Sequence, residues 1–204
     1  NVMGNSSRAP SASVTPEGPP GAPRGLGAIA GDDSVELEWD LPPDLGGSTL
    51  LGYNVYRGVG NSPLRLLEAR GTDPMYTDPQ VVRGFTYRYQ VRARNVHGVG
   101  PPSEVVSATP ATLPGMPTRP VPVAGDGHVN LSWSPPGDTG GLPIIRYRVW
   151  RWIGMEMPEL LARVGPNLSY RDTSVSNGVV YRYGVSAENA VGEGGLSVAV
   201  PVLP

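Results

Sequence analysis

Residues 87–100 read YRYQVRARNVHGVG, and residues 181–194 read YRYGVSAENAVGEG. The phrases lie 94 residues apart, and the likeness runs well beyond them. Aligning 21–110 with 115–204 without a gap gives 34 identical positions out of 90. Among them are Trp39/Trp133, Tyr53/Tyr147, Val55/Val149, Tyr76/Tyr170, Tyr87/Tyr181, Asn95/Asn189 and Gly100/Gly194. A solenoid unit runs to ~20–50 residues, so a period this long is a whole domain. The 204 residues therefore divide into two copies of one fold, each of ordinary domain size.

Within each copy the apolar period is two. SVELEWD (34–40) sets Val35, Leu37 and Trp39 on one face and Glu36, Glu38 and Asp40 on the other. HVNLSWS (128–134) repeats the pattern with Val129, Leu131 and Trp133. In YRYQVRARN the inward set is Tyr87, Tyr89, Val91 and Ala93, and the outward set is Arg88, Gln90, Arg92 and Arg94. Such alternation predicts half-buried strands with one wet face. Gly 28 and Pro 24 make up a quarter of the chain, and their clusters (LPPDLGGS, GVGNSP, GTDP, HGVGPP) separate the runs as turns. No segment holds a helical period. The predicted strands of the first copy are 25–30, 34–40, 51–58, 64–69, 75–78, 85–95 and 103–109, and those of the second follow 94 residues on. The expected fold class is all-β: two tandem immunoglobulin-like, seven-strand β-sandwiches behind an extended N-terminal arm. With no cysteine, no disulfide can brace them. The cores must do so, with Trp39 and Trp133 at their centres.

These residues resemble the fibronectin type III family. The first copy matches its pattern at Pro23, Trp39, Pro42 and Pro43, Gly46 and Gly47, Tyr53, Val55, Tyr87, Val91, Ala93, Asn95, Gly98, Gly100 and Ser103. The second does so at Pro117, Trp133, Pro135 and Pro136, Gly140 and Gly141, Tyr147, Val149, Tyr181, Val185, Ala187, Asn189, Gly192, Gly194 and Ser197. The resemblance implies that Tyr87 and Tyr181 form tyrosine corners, each hydroxyl bonded to nearby backbone. It does not bring an integrin-binding Arg-Gly-Asp, which occurs nowhere in the chain. The expected domains are an arm or linker at 1–22, one module at 23–110 and another at 111–204. The joint at 110–122 carries Pro110, Pro114, Pro117, Pro120 and Pro122, which favours a semi-rigid rod.

Little in the chain points to catalysis. The two histidines, His97 and His128, stand in different copies, and neither has a second His or a Cys to complete a metal site. The Gly-x-Gly pairs lack the third glycine of a phosphate fingerprint, and no Gly-x-Ser-x-Gly elbow occurs. No enzymatic activity and no cofactor are expected. A net charge of -2 provides no basic field for nucleic acid, and no apolar run approaches the ~20 residues that span a bilayer. All 16 basic residues are arginine, a pattern expected of a GC-rich genome.

Candidate interface residues lie on the outward faces of the third and sixth strands: Tyr56, Arg88, Arg92 and Arg94 in the first copy, Arg146, Arg148, Trp150 and Arg182 in the second, with Trp152 beside them. They read either as a ladder that covers its own sheet or as a docking patch, since Trp, Tyr and Arg dominate interface hot spots. Asn5, Asn130 and Asn167 are candidate N-glycosylation acceptors. Ser11, Ala12, Ser13, Val14 and Thr15 form a candidate strand for donation to a neighbouring subunit.

The resemblance implies an extracellular or cell-surface chain that reaches us without its signal segment. Its expected role is structural or adhesive, as a subunit of a surface or filamentous assembly. Two alternatives stay open: an accessory spacer or binding region of a secreted carbohydrate-active enzyme, and a receptor-like ligand-binding pair. Expected partners are copies of itself or another surface protein, with glycans also considered; nucleic acid and membrane insertion are not expected.

Overall fold

A computed structural model describes residues 17–204. The candidate donated strand 11–15 and the acceptor Asn5 lie outside the described residues. The chain divides into two compact units. All regular elements among the described residues are strands.

In the first copy these are β1 (Arg24–Ala30), β2 (Val35–Asp40), β3 (Gly52–Val59), β4 (Arg65–Arg70), β5 (Met75–Asp78), β6 (Tyr87–Asn95), β7 (Gly98–Pro102) and β8 (Val106–Ala108). One sheet runs β1-β2-β5; the other runs β4-β3-β6-β7, with β8 also pairing β6. The second copy repeats this with β9 (Val121–Gly125), β10 (His128–Ser132), β11 (Arg146–Ile153), β12 (Glu159–Val164), β13 (Ser169–Asp172), β14 (Tyr181–Glu188), β15 (Glu193–Leu196) and β16 (Val200–Val202). Its sheets run β13-β10-β9 and β12-β11-β14-β15, with β16 on β14.

The alternation does what it predicts. β2 is buried at Val35, Leu37 and Trp39 and exposed between them, and β6 is buried at Tyr87, Tyr89, Val91 and Ala93. Each sandwich closes its core by facing these inner sets together. Trp39 meets Tyr53 edge-on with ring centroids 5.2 Å apart, and Trp133 meets Tyr147 at 5.6 Å. Each fully buried Tyr or Val contributes on the order of 2 kcal/mol of transfer free energy, which suffices in the absence of disulfides.

Two features anchor the loops. Tyr87 Oη accepts a hydrogen bond from Val82 N at 2.8 Å, and Tyr181 Oη accepts one from Ser176 N at 3.0 Å. These are the expected tyrosine corners. Buried Asn95 donates through Nδ2 to Gly18 O and Leu45 O, and its Oδ1 accepts from His97 N. Asn189 makes the same bonds to Thr112 O, Thr139 O and Val191 N. One side chain per copy thus ties together the entering chain, the β2–β3 loop and the β6–β7 turn.

The seventh predicted strand differs. It is two short strands in each copy, and the pairing starts earlier, at Gly98 and Glu193, inside what reads as a loop. The break falls at a serine. Ser103 N donates to Val91 O at 2.8 Å, while Val91 N donates to Ser103 Oγ at 3.0 Å. Ser197 does the same with Val185. A hydroxyl takes the place of a backbone carbonyl, so the ladder is satisfied while the strand changes course.

Candidate interaction surface

The outward face of β11 and β14 is built by cross-strand pairing. Trp150 stands opposite Gly184, Arg148 opposite Ser186, Arg146 opposite Glu188 and Trp152 opposite Arg182. Gly184 leaves a gap in the face, and Trp152 fills it: a Cβ there would meet the indole at 3.1 Å and Leu196 at 3.3 Å. Trp150 Nε1 donates to Ser186 Oγ at 3.1 Å, and Ser186 Oγ in turn donates to Glu193 Oε1. Arg148 bridges Glu188 and Glu193 at 2.8 and 2.6 Å, and Arg146 Nε lies 3.5 Å from Glu188. Arg182 is exposed. On this face Arg146 and Arg148 are neutralised by the face's own carboxylates.

The corresponding face of the first copy has different chemistry. Arg92 lies over the Tyr56 ring, 5.5 Å from its centroid. Arg88 Nη2 donates to Ser62 O at 2.6 Å, and Arg94 Nη2 donates to Arg70 O at 3.1 Å. These contacts hold the side chains in place but leave their charge. All nine candidate interface residues thus sit on the expected faces, and all but Arg182 make the contacts just described. The acceptors Asn130 and Asn167 are both exposed, the first in mid-strand on β10 and the second in the loop before β13.

Sequence reasoning passed over a buried ionic cluster. Arg151 is inward-facing on β11 and 9% exposed, and it meets Asp172 Oδ2 at 3.0 Å. Tyr183 Oη donates to the same oxygen at 2.7 Å, and the Ser174 amide and hydroxyl donate to Oδ1. Arg151 also reaches Glu159 at 3.3 Å and lies over the Tyr181 ring. Burial acts to raise the Asp172 carboxyl, but the bonds from Tyr183 and Ser174 and the Arg151 charge outweigh it and hold the group below the usual carboxylate range. The Tyr183 hydroxyl is pushed well above its ordinary value, first by burial and then by Asp172. The signal was present in the repeat, because Arg57, Asp78 and Tyr89 are the same three residues in the first copy, where Asp78 is fully buried. This cluster is a brace for the second sandwich.

The loop end of the first copy carries another unpredicted feature. Leu41, Leu45, Leu51 and Val96 are 58%, 40%, 46% and 70% exposed and lie around an open groove of about 880 Å³ also lined by Gly47 and Thr72. Neither histidine joins a metal-binding group among the described residues. His97 Nε2 lies 2.9 Å from Ser48 Oγ and 3.2 Å from Glu17 Oε2, at the edge of this groove.

Comparison with known families matches residues 21–109 to the fibronectin type III domain. The second copy repeats the same strands, tyrosine corner and buried asparagine. Residues 21–109 belong to the fibronectin type III family. It is 34% identical over 172 residues to Exoglucanase B of Cellulomonas fimi, across 78% of this chain and 14% of that protein. It is 31% identical to human Fibronectin type-III domain-containing protein 3A, across 91% of this chain and 16% of that one. It is also 31% identical to the Kelch domain-containing protein SSO1033 of Saccharolobus solfataricus, across 64% and 17%. The chain spans less than a fifth of the length of each of these relatives. Among solved structures, the chicken CNTN1 FN1-FN3 domains match at 20% identity with a TM-score of 0.42, over 92% of this chain and 68% of that one.

Proposed function

We propose that this pair of fibronectin type III sandwiches is a non-enzymatic spacer within a longer secreted or cell-surface protein. One observation carries the reading: the two copies share their scaffold and little else. Trp39, Tyr53, Arg57, Asp78, Tyr87, Tyr89, Asn95 and Ser103 all recur 94 residues on, and all serve the core, the corners or the loop ties. The outward positions diverge: Tyr56 becomes Trp150, Gln90 becomes Gly184, Arg92 becomes Ser186 and Arg94 becomes Glu188. Arg88 and Arg182 are the exception. Two copies that had kept one ligand site would share its surface chemistry. Two copies that keep mainly inward residues are being kept as rigid bodies.

The relatives support this reading, since an exoglucanase and Kelch-domain proteins carry a similar stretch as a minor part of their length. No helix among the described residues is long and apolar enough to cross a membrane. Exposed Asn130 and Asn167 would offer a secreted chain two glycosylation acceptors. The test is retention of the full chain on insoluble polysaccharide. A spacer passes through unretained, as the same chain carrying Trp150→Ala and Trp152→Ala does. Saturable retention that those substitutions abolish, with folding intact, would replace the spacer with a glycan-binding module.

A second reading, the subunit of a surface or filamentous assembly, is favoured by the aliphatic loop end of the first copy. Side chains of this size left in water commonly mark a contact.

A further inference from the structure

We propose that the outward face of β6 in the first copy is a docking site for an extended acidic segment of a partner protein, whose carboxylates are held by Arg88, Arg92 and Arg94. The second copy provides the contrast. There Glu188 and Glu193 form a cross-strand pair of β14 and β15. Both hold Arg148, whose Nε and Nη2 donate to Glu188 and whose Nη1 donates to Glu193. The equivalent pair on β6 and β7 is Arg94 and Val99. Both carboxylates are gone, and an arginine stands in the place of one. Among the described residues no carboxylate pairs with Arg88, Arg92 or Arg94, and the ε nitrogens of all three lack an acceptor. A partner's carboxylates would do on this face what Glu188 and Glu193 do on the other.

The three arginines are held ready. Arg92 lies over the Tyr56 ring. Arg88 and Arg94 each fix Nη2 on a backbone carbonyl, of Ser62 and Arg70, and leave Nη1 without a partner. Side chains ordered beforehand lose little entropy on binding, and a planar guanidinium can take a carboxylate through two parallel bonds. Spacing selects the partner. Arg92 and Arg94 are two residues apart on one strand, roughly 7 Å, and alternate side chains of an extended polypeptide repeat at that distance. Three arginines on one strand of a chain of net charge -2 form too small a field to hold a long polyanion by charge alone. A site in one copy alone leaves the spacer role of both intact.

The experiment titrates the full chain with two synthetic peptides, one alternating Glu and Thr and the other Gln and Thr, and follows the arginine Nε–Hε resonances. The Glu peptide is expected to bind saturably and to shift Arg88, Arg92 and Arg94, but not the exposed Arg171 on β13. The Gln peptide should shift none of them. Arg94→Gln should weaken the Glu peptide about tenfold, and Arg171→Gln should leave it unchanged. Val99→Glu keeps every arginine and places a carboxylate where Glu193 stands in the second copy. It should occupy the face and weaken the peptide by a similar factor, with core resonances such as Val91 unmoved. An equal response to the two peptides, or full binding by Val99→Glu, would overturn the proposal. Saturable shifts from heparin and none from the Glu peptide would overturn it in favour of an anionic glycan. Shifts that grow with the concentration of the chain alone would overturn it in favour of a second copy.

Discussion

Asp172 sits almost fully buried and accepts four hydrogen bonds, one each from Tyr183 and Arg151 and two from Ser174. A buried carboxylate is tolerable only in such company, and removing one partner of a buried pair leaves the other charge stranded. Asp172→Ala is expected to destabilise the second sandwich by about 3–5 kcal/mol in denaturant unfolding. The pH dependence follows from the depressed carboxyl. Its contribution is complete above about pH 4, where the unfolded side chain is also ionised, and is lost as the pH falls through the lower folded value. Acid titration of the native chain should therefore show stability falling below about pH 4, with a flatter profile in Asp172→Asn. The period-two pattern did not reveal this cluster, because alternation sorts residues by face and says nothing of how an inward arginine is satisfied. Arg151 lies at an inward position of RYRVWRWI, between Trp150 and Trp152, and only its recurrence as Arg57, together with Asp78 and Tyr89, marks it as a brace. The tyrosine corners were legible, since the resemblance places them and the hydroxyl bonds follow. Tyr87→Phe should cost about 1 kcal/mol, read as a lower unfolding midpoint.

At the scale of elements, alternation and turn composition located six of the seven strands of each copy to within a residue or two at most ends. The seventh was read as continuous because Ser103 and Ser197 look like ordinary strand residues. What sets them apart is a hydroxyl oxygen that accepts a backbone N–H, which no apolar periodicity records. Ser197→Ala leaves Val185 N–H buried without its acceptor, and it is expected to cost about 1–3 kcal/mol and to speed amide exchange at Val185. The β2–β3 loop depends on its glycines for a different reason. Gly46 has φ +68°, and a Cβ there would lie 2.1 Å from Gly18 O. Gly46→Ala therefore incurs left-handed strain of about 1–3 kcal/mol and also pushes the entering strand off its bond to Gly46 O. Loss of the Gly18 amide's protection from exchange is the measurement that checks it.

For the whole molecule, two scaffolds with divergent outer faces are the observation on which the proposed spacer role rests. The face of the second copy neutralises itself through Arg148, Glu188 and Glu193, while that of the first keeps the charge of Arg88, Arg92 and Arg94. The partners of the face residues were not legible in the sequence, because Glu193 is brought beside Glu188 only through pairing of β14 with β15. The spacer reading and the filament reading part company on one property, self-association. Sedimentation equilibrium of the full chain across a hundredfold range of concentration tests it directly. The account predicts a single species of 21.5 kDa throughout. Mass that grows with concentration into an open series of polymers would contradict it and make the chain the subunit of a fibre.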